Sequence, residues 1–298
     1  MVLLIKENNE WKQITKEEKK LLPPEERIKV LYIDGKQKEK LDYALSQQAK
    51  DNDGVIIIGG NEGSGKSAMG GNTMRYVSKD NFDPKRDMIG SDFDDGIQKI
   101  QNVKKGGCLM FDEGNVFFLS TEVMKKEQRD LHKIFSIFRQ KNLIVVIVIP
   151  SFFRLSSYFA LDRSRILMQT YIKDGERGFF SYFGDNRKKQ LWYKGKRDYN
   201  MQAVKPNFRG RFEDCYLLKT EDYQSFKMNT LMSSIKTAKV QKIPSKSELV
   251  QGIKLDVIRD SMDYSAKDIA DILKISVRRV DQLRKEVKDN EISKNDSE

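Results

Sequence analysis

At 298 residues and 34.7 kDa the chain has room for one sizeable domain and an appendage, and 38% apolar against 33% charged residues describes a polar surface around a real core. The longest apolar run, 143–149, falls far short of the ~20 residues of a membrane span, and no signal-peptide pattern opens the chain. Two cysteines and one histidine, His132, exclude a disulfide framework and a zinc cluster, while the net charge of +11, with eleven basic against four acidic residues in 173–211, favours a polyanionic partner over generic solubility. A reducing, cytoplasmic setting is expected.

In chain order, residues 1–53 are polar, broken by Pro23 and Pro24, with a strand pattern at 28–33 and a helical stretch at 36–49; they form an N-terminal lead-in. From 54 onward short apolar runs alternate with helical patterns. Strands are expected at 55–58, 87–89, 108–111, 143–149 and 166–172, and helices at 66–77, 93–103 and 124–140. Strand and helix in alternation give an α/β fold, a mainly parallel sheet sandwiched by helices. After residue 172 the pattern changes. Residues 178–183 and 190–193, separated by a Gly184-Asp-Asn-Arg turn, predict an antiparallel hairpin at the sheet edge. Residues 200–225 have no clear period. The domain is drawn as 54–232, followed by a polar linker at 233–247 and a small all-α unit at 248–298.

The glycines behind the 55–58 run carry the chemistry. Gly60, Asn61, Glu62, Gly63, Ser64, Gly65, Lys66 and Ser67 fit G-x-x-x-x-G-K-[ST], placed between a buried strand and a helix that continues through Ala68. Glycines let the loop turn its N–H groups inward around phosphate oxygens. Lys66 then supplies a point charge to the β- and γ-phosphates, Ser67 a hydroxyl for Mg²⁺, and the helix start its dipole. ATP and Mg²⁺ are the expected ligands. The second acidic element is Asp112, which leaves the carboxyl end of the 108–111 strand and is assigned to the metal; Glu113 beside it is assigned to the attacking water. Arg139, Arg163 and Arg165 are candidates for stabilising the departing phosphate, and Ser151, at the tip of the 143–149 strand, for a nucleotide sensor.

Taken with the run from Phe138 to Ser151, these motifs resemble the HerA/FtsK branch of P-loop ATPases, and the segment from 54 to 172 is similar to the zonular-occludens-toxin-like ATPases of phages and archaeal mobile elements. Arg139 matches the arginine that precedes the lead into that strand. Where the branch places a glutamine after the strand, this chain has Pro150 and Ser151. The resemblance implies a ring-forming homo-oligomer that uses ATP to move or package DNA. A nucleotide-dependent DNA-binding switch, which regulates or loads without translocating, is the alternative.

Two segments could contact DNA. In 264–287, apolar residues at Ile269, Ala270, Leu273, Ile275, Val280 and Leu283 fit two short helices about a tight turn, similar to a helix-turn-helix with Ser276 capping the second helix. That helix offers Arg278, Arg279, Arg284 and Lys285 to a major groove; a helical pair serving only a protein contact is the other possibility. Between 186 and 197, Lys188, Lys189 and Trp192 interleave charge with an aromatic ring, which suits phosphates and stacked bases, and equally suits a solvated edge strand protected from aggregation.

Overall fold

The structure is a computed structural model that describes residues 2–90, 92–112, 114, 118, 137–221, 223–228, 265–273, 276–278 and 280–285. The chain divides into two compact units, Met1–Lys236 and Thr237–Glu298.

The first unit is built on β4 (Gly54–Gly60). Its residues Val55 to Ile58 are buried on both faces, which explains why the sequence reads there as an unbroken apolar run and not as an alternation. Parallel partners flank it: β7 (Ile144–Ile149) on one side and β8 (Ser164–Lys173) on the other. β6 (Cys108–Phe111) pairs in parallel with β7, and the two-residue β5 (Met88–Ile89) with β6. Beyond β8 the sheet turns antiparallel through β9 (Glu176–Gly184) and β10 (Phe208–Arg211), giving the order β10-β9-β8-β4-β7-β6-β5. The fold is thus mixed α/β, a mainly parallel central sheet flanked by helices and extended by an antiparallel hairpin.

Successive residues of each strand feed opposite faces. Ile56, Ile58, Met110, Val146 and Met168 pack with Met69 and Met74 of α4 (Lys66–Val77), whereas Val55, Ile57, Phe111, Ile147 and Leu167 pack with Phe152, Phe153, Leu191 and Trp192. The short α5 (Pro84–Asp87) leads into β5, α6 (Phe93–Asn102) connects β5 to β6, and the expected 124–140 helix is described only at 137–140, where it is helical.

The lead-in contributes three strands of its own. β1 (Val2–Glu7) and β2 (Glu10–Ile14) form a hairpin through Asn8 and Asn9, both at positive φ, and β3 (Leu31–Ile33) pairs on the other side of β1. Two short helices follow β2, α1 (Lys16–Leu21) and α2 (Pro24–Arg27), and of the strand expected at 28–33 only the last three residues are extended. α3 (Gly35–Gln48), capped by the Asp34 carboxylate, then brings Leu41 against Leu4, Leu31 and Ile33 in the same apolar cluster as α4. Trp11 stacks on Tyr76 of α4 at 6.3 Å between centroids and donates to its carbonyl oxygen. Residues 1–53 are therefore part of the first unit.

The antiparallel hairpin is the other departure. It is made by β8 and β9, turning at Asp174 and Gly175, which both have positive φ. The expected second arm is instead α7 (Asp185–Gly195). Lys188, Leu191, Trp192 and Gly195 are its buried residues, the i, i+3, i+4, i+7 stripe of a helix against a sheet.

In the second unit, α8 (Ala266–Leu273) begins after Ser265, whose hydroxyl accepts from the Asp268 amide. Residues 277–278 and 280–285 are helical as well, with the Val280 amide on the Ser276 carbonyl oxygen. Ile269, Ala270, Val280 and Leu283 are buried; Arg278 and Lys285 are exposed. Among the described residues no helix is long and apolar enough to cross a membrane.

Candidate nucleotide site

Gly60 to Ser67 link the end of β4 to the start of α4. Gly60, Gly63 and Gly65 have φ of +152°, +74° and +90°, and Gly65 is the left-handed N-cap of α4. A side chain at Gly60 would place its Cβ 2.1 Å from Thr170 Oγ1, so the strand and loop can close here only with glycine. Ser64 turns inward. Its hydroxyl lies 2.6 Å from the Asn61 carbonyl oxygen and 2.7 Å from the Thr170 hydroxyl, which donates in turn to the Gly59 carbonyl oxygen. The loop is thereby fixed from inside before any ligand arrives.

Lys66 folds back over this loop and donates to the Asn61 carbonyl oxygen at 2.9 Å. Ser67, on the first turn of α4, donates to Asp112 Oδ1 at 2.9 Å. β6, which carries Asp112 at its end, is separated from β4 by β7, so the pair meets across an intervening strand. Asp112 is only 4% exposed, and its second oxygen accepts from the Tyr223 hydroxyl at 3.2 Å. Burial pushes its carboxyl above the usual range, against the opposing influence of the Ser67 hydroxyl, the Lys227 ammonium, Tyr223 and Lys66.

A cavity of about 670 Å³ opens here, walled by Glu62, Gly63 and 65–68 of the loop, by Asp112, and by Val148, Ile149 and Pro150 at the end of β7. Its far wall comes from the chain after β10: Asp214, Cys215, Leu218, Lys219, Tyr223 and Lys227, with Arg177 from β9. Arg177 and Lys219 both pair with Asp214, at 2.9 and 3.1 Å. The donor set suits magnesium: one hydroxyl and one buried carboxylate, both hard oxygens, beside a glycine-rich loop and the Lys66 ammonium. Among the described residues no cluster of three or more His, Cys, Asp or Glu side chains could enclose a metal by itself, so most of such an ion's shell would come from phosphate and water.

Other sequence candidates fall elsewhere. Ser151 follows Pro150 and opens the short turn Phe152–Arg154. Arg139 is exposed on the residues leading into β7, Arg163 is ion-paired with Asp53, and Arg165 stands 3.9 Å from Asp185. All three occupy the amino-terminal edge of the parallel strands, opposite the edge that holds the cavity. In the cavity wall it is Arg177, Lys219 and Lys227 that supply cationic side chains besides Lys66, and no motif in the sequence marks them. Glu113 and Arg279 lie outside the described residues. The amides on either side of Glu113 are anchored, Asp112 N on the Ile89 carbonyl oxygen and Gly114 N on that of Val148.

For the basic segment a correction is required. Lys188 is fully buried and donates to the carbonyl oxygens of Ala160 and Ser164 and to the Ser164 hydroxyl; Trp192 is 4% exposed and packs on Phe152. Neither can meet DNA, because in a helix they fall on the inward stripe. Lys189 remains partly exposed, paired with Asp185.

Neither a protein-family model nor a curated protein matches this chain. Among solved structures it is similar to the genome-packaging NTPase B204 of Sulfolobus turreted icosahedral virus 2 in complex with sulfate, at 15% identity over 45% of this chain and 92% of that one, with a TM-score of 0.29. It is also similar to the replication initiator DnaA bound to AMPPCP and single-stranded DNA, at 13% identity over 86% and 88% of the two chains and a TM-score of 0.30. Likenesses this distant carry no function to this chain, which rests on its own residues.

Proposed function

We propose that the protein is a P-loop ATPase that binds DNA and assembles as a ring to translocate or package it. One observation carries the nucleotide half: a glycine-rich loop, already fixed by Ser64, opens a helix whose second residue, Ser67, touches a buried carboxylate at 2.9 Å in the same cavity. Backbone N–H groups of the loop receive the phosphates. Lys66 exchanges the Asn61 carbonyl oxygen for the β- and γ-phosphate oxygens. Ser67 and Asp112 are the residues that would hold Mg²⁺, which when bound shields phosphate charge. Glu113, which follows Asp112 in the sequence, takes the proton of the water attacking the γ-phosphorus as the bond to the ADP oxygen breaks. Arg139, Arg163 and Arg165 face away from this chain's own cavity, so any role they have in charge stabilisation lies in a neighbouring subunit.

The DNA half is supported by the +11 net charge and by the exposed Arg278 and Lys285 on the second helical segment of the C-terminal unit. ATP turnover measured with and without long duplex DNA tests the whole reading. A motor is expected to accelerate at least tenfold on long DNA and to displace a bound roadblock. Slow turnover indifferent to DNA length, with ATP-dependent DNA binding alone, would identify a switch.

A further inference from the structure

We infer that Tyr223 is a positioning residue for the metal-side carboxylate: its hydroxyl holds the second oxygen of Asp112, so the segment after β10 fixes the geometry of a ligand that the P-loop core alone leaves half restrained. A carboxylate at the end of a strand can rotate about its last side-chain bond. Two hydroxyls from different elements hold the two oxygens of Asp112, Ser67 on Oδ1 at 2.9 Å and Tyr223 on Oδ2 at 3.2 Å. The two contacts differ in kind. Ser67 is itself a prospective metal ligand, whose oxygen lone pairs would face the ion while its hydrogen stays on Oδ1. Tyr223 is assigned no metal and acts on the carboxylate alone.

The phenol is placed by the structure around it. Tyr223 is 4% exposed, stacks on Phe226 at 6.4 Å between centroids, and has the Lys227 ammonium 5.6 Å from its ring centre. Its segment is pinned to α4 at several points. Phe212 lies so close to Gly65 that a Cβ there would stand 3.0 Å from the ring, and Cys215 and Leu218 crowd Gly71 in the same way. The Asn72 side-chain amide donates to the Glu213 carbonyl oxygen at 2.7 Å. The hydroxyl on Oδ2 and the hydroxyl on Oδ1 thus belong to parts of the chain that pack as one piece. Outer hydrogen bonds of this kind change metal affinity or activity by about 10–100-fold when removed.

This inference rests on the proposed nucleotide site and is tested in the full chain with Tyr223→Phe, which keeps the ring and removes only the hydroxyl. Mn²⁺ binding is followed by its paramagnetic resonance signal in the presence of a non-hydrolysable ATP analogue, alongside the Mg²⁺ dependence of turnover. Expected are a roughly tenfold or greater rise in the Mn²⁺ dissociation constant and in the Mg²⁺ concentration for half-maximal turnover, with metal-free nucleotide affinity unchanged. Mn²⁺ and Mg²⁺ curves that superpose on those of the wild type would overturn the inference while leaving the nucleotide site standing. A wild type that binds no nucleotide at all would remove the site itself. Tyr223→Leu separates the remaining possibility, since loss of melting temperature there with intact metal binding assigns the ring to packing only and also overturns the inference.

Discussion

In the proposed site, Asp112 sets stability against chemistry. Its carboxyl is raised by burial, so the unfolded chain ionises first and stability falls as pH rises through the folded-state value. Once the unfolded chain has ionised, the buried carboxyl is a load on the fold. Asp112→Asn should therefore raise the melting temperature of the nucleotide-free protein, by about 2–4 °C per kcal/mol relieved, while reducing ATP turnover at least 100-fold. Calorimetry and a phosphate-release assay check the two halves independently. Lys188 has the opposite sign of charge and the same cause. Burial lowers it from 10.5 to about 8, with Asp185 opposing. Between pH 8 and 10.5 the unfolded chain holds more protons, so Lys188 contributes stability that increases with pH across that window and is constant below it. Denaturation midpoints from pH 7 to 10.5 should rise more steeply in the wild type than in Lys188→Met; parallel profiles would show that this ammonium is not the titrating group.

Among the elements, β4 and its loop tolerate the least change. Gly60→Ala confronts both a positive φ and the Thr170 hydroxyl, and a loss of about 1–3 kcal/mol is expected from denaturant unfolding. Ile147→Ala, on a strand with neighbours on both faces, should cost about 2–5 kcal/mol by the same measurement. These elements were legible in the sequence because parallel strands buried on both faces read as continuous apolar runs, and α4 was expected at the residues it occupies. α7 was not legible, since its inward stripe includes Lys188, and a lysine there makes a helical face read as solvent. The hairpin was displaced for a related reason. Asp174-Gly175 was the stronger turn signal, but the Gly184-Asp-Asn-Arg stretch drew the turn to a place where a helix begins. Asn8-Asn9 offered the same kind of cue for the N-terminal hairpin, hidden among polar residues. Tyr223 gave no cue at all: it meets Asp112 across 111 positions, from a stretch without a regular period.

For the whole molecule, the strand order places the carboxyl ends of β8, β4, β7, β6 and β5 along one edge, so that a loop after β4 and a carboxylate after β6 share a cavity despite the strand between them. Charge on the C-terminal unit makes a separate prediction. Replacing Arg278 and Lys285 together by Ala should weaken duplex binding and reduce the slope of log affinity against log salt by about two, read by fluorescence anisotropy at several salt concentrations. An unchanged slope would assign those helices to a protein partner. The most direct test of the central claim is an equilibrium titration of ATP with Mg²⁺ against the wild type and Lys66→Ala. One saturable nucleotide per wild-type chain, with affinity reduced at least 100-fold in the variant, is the expected result; equal affinity in both, or no saturable binding to the wild type, would contradict it.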